Sequence, residues 1–476
     1  MVRSTLSLCN ENFQVQLSRG VEHSDSLLKL ADGLSIQLNS KGVKPGECVV
    51  IQTSNPLKLW LAVMALWSIG AVPVPTDPKV PSTRLQSIRE ICRSRFTLVD
   101  SKEDDLKNIF DVRFSETRPP ELGLSSDIAY VLFTSGSTGV PKGVVVSHDA
   151  LISRLIGFSS CIDVTDSDTI AGLAHPIFDV SMLEILLPSL TGCTFALPPA
   201  SVRGNPVEIA SWLNNAHPTI IHGSPTLFQL LLHSKWNPDK DMALWVGGET
   251  LPTNLAHVLG RASRSMWNFY GPTETTIVST LWNYDGSIEG PSAPIGWAIP
   301  GTYVRLDSDS TSKVGELIIS GSGLAEGYLS NGAKSSRSFV QNGDLREYQT
   351  GDICQKSESG CFTFLHRVDN QVKISGVRIE LGDIEANLLN CSEVRQALVI
   401  AFPFEHSGGQ RLAAGVVSSA PVSQIRIELS RRIPRHYLPS SIIQLDSLPL
   451  TVTGKIDRAA GRELIMRKIT RHSLDF

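Results

Sequence analysis

The residues best equipped to do chemistry lie in Tyr130–Gly143, YVLFTSGSTGVPKG. An apolar run leads into Thr134, Ser135, Gly136, Ser137, Thr138 and Gly139, and the loop closes on Lys142. Backbone N–H groups, hydroxyls and one ammonium in a single turn form a cradle for phosphate oxygens. A P-loop NTPase is disfavoured, because its loop needs G-x-x-x-x-G-K-[ST]. Here only Ser137 and Thr138 separate Gly136 from Gly139, and Gly143 follows Lys142. A solvated Gly/Ser linker is the plain alternative, and the apolar strand running straight into the loop argues against it. Other chemistries find less support. The eleven histidines include no HExxH and no close pair with zinc spacing, so His148 and His175 are expected to be structural. Ser135 and Ser137 lack the G-x-S-x-G setting of a hydrolase elbow. Gly321, Gly323 and Gly327 miss the dinucleotide fingerprint by one residue and read as turn glycines.

TSGSTGVPKG resembles the phosphate-loop signature of the adenylate-forming superfamily, and further segments resemble the nonribosomal peptide synthetase adenylation domain in order. These are NFYGPTE (Asn268 to Glu274), YQTGD (Tyr348 to Asp352), HRVDNQVKISGVRIELGDIE (His366 to Glu385) and TGKIDR, which holds Gly454 and Lys455. The resemblance covers nearly the whole chain. It implies that ATP and Mg²⁺ are used to activate an amino acid as aminoacyl-AMP with release of pyrophosphate. It further implies transfer of the acyl group to the phosphopantetheine thiol of a carrier protein. Residue by residue, it places the loop from Thr134 to Gly139 and Lys142 at the phosphates, with Asn268, Phe269, Tyr270 and Gly271 in the AMP-binding segment. Tyr270 would stack on adenine, Gly247, Gly248 and Glu249 would pass along its edge, Asp352 would accept both ribose hydroxyls, and Arg367 would assist at the ribose or phosphate.

The chemistry accounts for these residue types. Forming an acyl phosphoanhydride builds negative charge on the α-phosphate, so cations and donors must be aimed there. Lys455 and Thr273 are the expected catalytic groups. Glu274 supplies an oxygen ligand suited to Mg²⁺, which keeps most of its waters and bridges phosphate oxygens.

By the same resemblance the acyl substrate would sit against Phe178, Asp179, Val180, Leu183, Gly223, Leu244, Val246, Phe269, Ile277 and Val278, with Lys455 at its carboxylate. Asp179, in the segment FDVS, would be a buried carboxylate paired with the α-ammonium, which points to an amino acid. Apart from Asp179 and Lys455 no member of this set is charged, so a neutral, apolar side chain is expected. Gly223 would open room that Phe269 and Val246 reduce. His366 and Ser375 depart from the residues usual in the family, glycine and arginine. Two other readings are an acyl-CoA or aryl-acid ligase of the same superfamily and a non-catalytic nucleotide-binding regulator. The joint presence of Lys455, Asp352 and Glu274 speaks against the regulator.

Positioning such groups requires a particular scaffold. Short β-branched runs alternate with helix-sized segments, the signature of parallel α/β sheets, and from about Gly296 the texture changes to short strands and Gly-rich turns. The expected fold is α/β: a large multi-sheet amino-terminal domain over residues 1–368, with parallel sheets and a barrel-like β portion. A smaller, mobile α+β domain over 369–476 would carry Lys455, with a hinge at Asp369. The 476 residues carry 43 Lys plus Arg against 47 Asp plus Glu, a balance of −4 that provides no basic field for nucleic acid. Eight scattered cysteines without a C-x-x-C pair suit a reducing cytosol, hence a cytoplasmic location. The apolar stretch Leu59 to Pro75 falls short of a membrane span and is broken by Gly70, Pro73 and Pro75, so it reads as a buried helix followed by a strand. The chain ends soon after Lys455, so the carrier is expected to be a separate protein.

Overall fold

The computed structural model describes residues 9–18, 20–101, 109–115, 124–134, 141–308, 312–330, 333–335, 338–369, 371–403, 410–449 and 456–474. These fall into two compact units. The first comprises Met1–Pro78, Arg89–Phe133 and Gly143–Val368; the second comprises Lys79–Ile88, Thr134–Lys142 and Asp369–Phe476.

In the first unit the helix Pro56–Ser68 shows how the core is seeded. Asn55 caps it, its side chain accepting the Leu57 N–H at 2.9 Å, and Pro56 sits where a missing N–H costs nothing. Every residue except Lys58 and Ser68 is buried, and the Trp67 indole donates to the Ala129 carbonyl at 2.7 Å. Gly70 turns the chain at φ +71° into the strand Val72–Thr76, which pairs in parallel with Cys48–Gln52. The apolar stretch is therefore a buried helix and strand, and among the described residues no helix is long and apolar enough to cross a membrane. Leu61→Ala in this helix should lower stability by about 3 kcal/mol. A shifted urea midpoint at constant slope would register that loss.

The sheet that organises the site has nine strands, ordered Trp297–Ala298, Thr280–Asn283, Ser265–Tyr270, Ala243–Gly247, Ile220–Gly223, Thr169–Ala171, Thr194–Ala196, Gln14–Leu17 and Gly20–His23. Pairing is parallel from Ser265–Tyr270 to Gln14–Leu17 and antiparallel at both margins. Its register sets His222 opposite Trp245 and Trp245 opposite Trp267, with Gly223 opposite Val246 and Gly247 opposite Phe269. Side chains alternate along a strand. One face therefore carries Ile220, His222, Trp245, Gly247 and Phe269; the other carries Ile221, Gly223, Leu244, Val246 and Met266.

The two faces pack into separate cores. Ile220, Trp245 and Phe269 join Leu183, Ile277 and Val278. Ile221, Leu244, Val246 and Met266 join Phe228 and Trp236. A second sheet, built around Cys48–Gln52, is mainly parallel. The Gly-rich region after Gly296 forms an antiparallel sheet of Thr302–Asp307, Val314–Gly321, Leu345–Lys356, Phe339–Asn342 and Phe362–Arg367.

The second unit has α+β architecture. Ser375 (φ +51°) and Gly376 (φ +77°) form a two-residue turn between Gln371–Ile374 and Val377–Glu380, with the left-handed geometry that suits a tight hairpin. Helix Leu381–Leu389 follows, then the sheet Val394–Pro403, Gln410–Ser418 and Ser441–Gln444. Arg458, opening the helix Arg458–Leu474, donates to Glu385 at 2.8 and 3.0 Å and to the Val399 carbonyl at 3.1 Å, tying that helix to the sheet.

Candidate active site

The strand Ser265–Tyr270 runs through Gly271 and Pro272 into a single 3₁₀ turn, Thr273–Thr275. The backbone then holds Thr276 at φ +59° and Ile277 at φ +67°. Two consecutive left-handed non-glycine residues, both of them β-branched, store about 1–3 kcal/mol each and persist only where the surroundings enforce them. The enforcement is visible. Ser279 donates its N–H to the Tyr270 carbonyl at 2.8 Å, the Thr275 and Ser279 hydroxyls meet at 2.7 Å, and a Cβ on Gly271 would lie 2.4 Å from the Ile277 carbonyl oxygen. Within this wrap the Thr276 Oγ1 and Asn268 Oδ1 atoms are buried and make no hydrogen bond. Glu274 is only 2% exposed and accepts the Tyr328 hydroxyl at 2.7 Å. A carboxylate oxygen is the ligand type that Mg²⁺ takes.

Tyr270, Asp352 and Arg367, far apart in sequence, converge. Asp352 stands opposite Arg367 in the antiparallel ladder and forms an ion pair with it, while Tyr270 donates its hydroxyl to the other Asp352 oxygen at 2.5 Å. Burial pushes the Tyr270 phenol well above its ordinary range, and the adjacent Asp352 charge pushes it the same way. Thr350 Oγ1 braces the cluster, accepting the Asp352 N–H at 3.0 Å and donating to the Leu317 carbonyl at 2.7 Å. Asp352 is thus already engaged at both oxygens. A carboxylate offers about four lone-pair positions, so it retains capacity for ribose hydroxyls.

Gly247 ends its strand, Gly248 turns at φ +83°, and Glu249 accepts the Thr226 N–H at 3.1 Å and its hydroxyl at 2.6 Å. Its carboxylate is therefore committed to the start of helix Pro225–His233. Thr134 closes one strand and Lys142 opens the next. Ser135, Gly136, Ser137, Thr138, Gly139, Gly454 and Lys455 lie outside the described residues. Asp369 accepts the Gln371 N–H at 3.1 Å. His148 packs edge-on against Trp67 and His175 lies 3.8 Å from Asp77, both structural settings.

The residues expected at the substrate are divided by the structure in three respects. First, Gly223, Leu244 and Val246 point to the sheet face opposite Phe269, into the core with Phe228 and Trp236. A Cβ on Gly223 would meet Leu227 at 3.0 Å and Phe228 at 3.2 Å. The residues that share a face with Phe269 are His222, Trp245 and Gly247. Second, Asp179 is half-buried, not buried, and caps helix Val180–Thr191 by accepting the Val180 N–H at 2.8 Å. Phe178 is likewise half-buried, packing edge-on against His175.

Third, charge does reach this face. Glu184, one position past Leu183, is fully buried and meets His222 Nδ1 at 2.7 Å, while its other oxygen accepts the Ala174 N–H at 2.9 Å. The His222 ring stacks on Phe269 with centroids 5.3 Å apart and planes 26° off parallel. A lone carboxylate in an otherwise apolar helix, and a lone imidazole in an apolar strand, were the available signals, since each needs a buried partner.

Tyr270 thus ends the strand that leads into the strained, glycine-braced turn and also joins the carboxylate-centred cluster of Asp352 and Arg367. The chain matches the AMP-binding enzyme family over residues 25–329 and the AMP-binding enzyme C-terminal domain over residues 383–455, and it belongs to that family of adenylate-forming ligases. It is 30% identical over 482 residues to a dimodular nonribosomal peptide synthase of Bacillus subtilis (strain 168), covering 96% of this chain and 20% of that protein. The chain spans a fifth or less of the length of the curated relatives it matches. Among solved structures, the Vibrio cholerae adenylation domain AlmE in complex with glycyl-adenosine-5'-phosphate superposes with TM-score 0.82 at 20% identity, covering 97% of this chain and 96% of that one. The o-succinylbenzoate CoA synthetase of Bacillus subtilis also gives 0.82, at 18% identity, covering 97% and 98%. These two likenesses show the fold, which does not by itself select an acyl substrate.

Proposed function

We propose that the chain activates an α-amino acid with ATP, forming aminoacyl-AMP and pyrophosphate, and then loads the aminoacyl group onto the phosphopantetheine thiol of a carrier protein. The observation that carries the amino-acid reading is Asp179, a half-buried carboxylate capping the helix whose next turn brings Leu183 and Glu184 to the Phe269 face. An α-ammonium is its natural partner, and a carboxylate suits the helix N-terminus that it caps.

The substrate carboxylate oxygen attacks the α-phosphorus, the bond from that phosphorus to the α,β-bridging oxygen breaks, and the β- and γ-phosphates depart together as pyrophosphate. Tyr270, Asp352 and Arg367 hold the nucleoside; the Thr134 to Gly139 loop and Lys142 cradle the phosphates. Thr273 donates to the α-phosphate and Lys455 neutralises the charge developing there. Mg²⁺, when bound, would stabilise the departing pyrophosphate, with Glu274 as its protein ligand. Asp369 is the proposed pivot between the two half-reactions.

ATP–pyrophosphate exchange, measured with amino acids, aryl acids and fatty acids in parallel, tests the reading. Amino acids should support exchange, and exchange with only aryl or fatty acids would overturn it. Asp179→Ala should reduce kcat/KM for the amino acid about 10²-fold while leaving ATP binding intact, since it leaves the ammonium unpaired. An unchanged specificity constant would remove Asp179 from substrate recognition.

A further inference from the structure

The segment GSGLAEGYL, Gly321 to Leu329, carries glycines that miss the dinucleotide fingerprint, yet the structure binds it closely to the turn that holds Glu274. A Cβ on Gly323 would collide with the guanidinium of Arg154, which is itself buried and donates to the Gly301 carbonyl at 2.9 Å. Two residues on, the Ala325 N–H donates to the Glu274 carbonyl at 2.9 Å, and the Glu326 N–H donates to the Val145 carbonyl at 2.7 Å. Tyr328 then stands opposite Val144 in an antiparallel ladder with the strand Lys142–Ser147. Fixed before and after in this way, the chain delivers the Tyr328 hydroxyl to Glu274 Oε1 at 2.7 Å.

The ring is held as firmly as the backbone. Tyr328 packs edge-on against Phe339 with centroids 5.6 Å apart. The Arg346 guanidinium lies 4.5 Å over Phe339 and donates to the Ala325 carbonyl at 2.7 Å. Glu274 and Tyr328 are only 2% and 8% exposed, so bulk water does little to orient the carboxylate. A hydroxyl donated to one oxygen restrains the plane of the carboxylate, and with it the directions in which its lone pairs point. Such outer partners of a metal-ligating carboxylate change metal affinity when they are removed.

We infer that Tyr328 is a positioning residue for Mg²⁺: its hydroxyl sets the orientation of Glu274, and the segment Gly321 to Leu329 is the scaffold that keeps it there. This rests on the reading of Glu274 as the metal's protein ligand.

The test is metal binding by the intact chain, with Mn²⁺ as a paramagnetic stand-in titrated in the presence of α,β-methylene-ATP, whose scissile position is blocked. In Tyr328→Phe, which keeps the ring and removes the hydroxyl, the Mn²⁺ dissociation constant should rise about 10-fold or more. Binding of the analogue without metal should be unchanged, and the deficit in ATP–pyrophosphate exchange should shrink as Mg²⁺ is raised. Unchanged Mn²⁺ affinity in a folded Tyr328→Phe protein would overturn the inference, as would an exchange deficit that added Mg²⁺ does not reduce. Failure of Tyr328→Phe to fold would overturn it too, since the hydroxyl would then serve stability. Undiminished Mn²⁺ affinity in Glu274→Gln would instead remove the reading on which it rests.

Discussion

Lys455→Ala is expected to lower the rate of aminoacyl-AMP formation by about 10²-fold or more, while ATP binding changes far less. The asymmetry follows from where the charge appears. An ammonium directed at the α-phosphate interacts most strongly when negative charge accumulates there during displacement, so its removal raises the barrier more than it weakens the ground state. Pyrophosphate exchange reports the barrier and equilibrium titration with ATP reports the ground state. A rate near that of the unsubstituted protein would remove Lys455 from the mechanism. A parallel loss of binding and rate would make it a nucleotide anchor and not a catalytic residue.

Asp352→Ala should act on both folding and nucleotide use. The Asp352 and Arg367 side chains are 4% and 11% exposed, and the carboxylate also takes the Tyr270 hydroxyl. Truncation leaves a mostly buried guanidinium and a buried phenol without their acceptor, a change that typically costs about 3 to 5 kcal/mol. The urea midpoint should fall accordingly, and KM for ATP should rise because two groups expected at the nucleoside lose their common anchor. Asp352→Asn, which keeps an acceptor for Tyr270 but not the charge opposite Arg367, should fall between. Unchanged stability in Asp352→Ala would show that this cluster does not brace the antiparallel sheet.

Much of the architecture was legible in the chain. The buried helix Pro56–Ser68 and the strand Val72–Thr76 after it followed from the apolar run and its Gly and Pro punctuation. NFYGPTE was legible as one functional segment, although the left-handed Thr276 and Ile277 beyond it were not, because neither residue type announces that conformation. What the sequence left open was parity. Ala243–Gly247 is buried along its whole length, so no polar alternation marks which residues share a face. A shift of one residue moves every side chain to the opposite face, and the spacing alone did not show that Gly223, Leu244 and Val246 lie on one face and Phe269 on the other. The pairing of Glu184 with His222 escaped for another reason: the partners come from a helix and a non-adjacent strand, and only the packed sheet brings them to 2.7 Å.

The division of the nine-stranded sheet between two cores has a practical corollary for re-engineering. Substitutions at His222, Trp245, Gly247 and Phe269 alter one chamber, whereas those at Ile221, Leu244 and Val246 alter the other. A mutational library over these strands therefore has no reason to randomise them contiguously. Diversifying alternate positions alone leaves the far chamber as an undisturbed foundation, and it removes from the search those combinations most prone to yield unfolded clones.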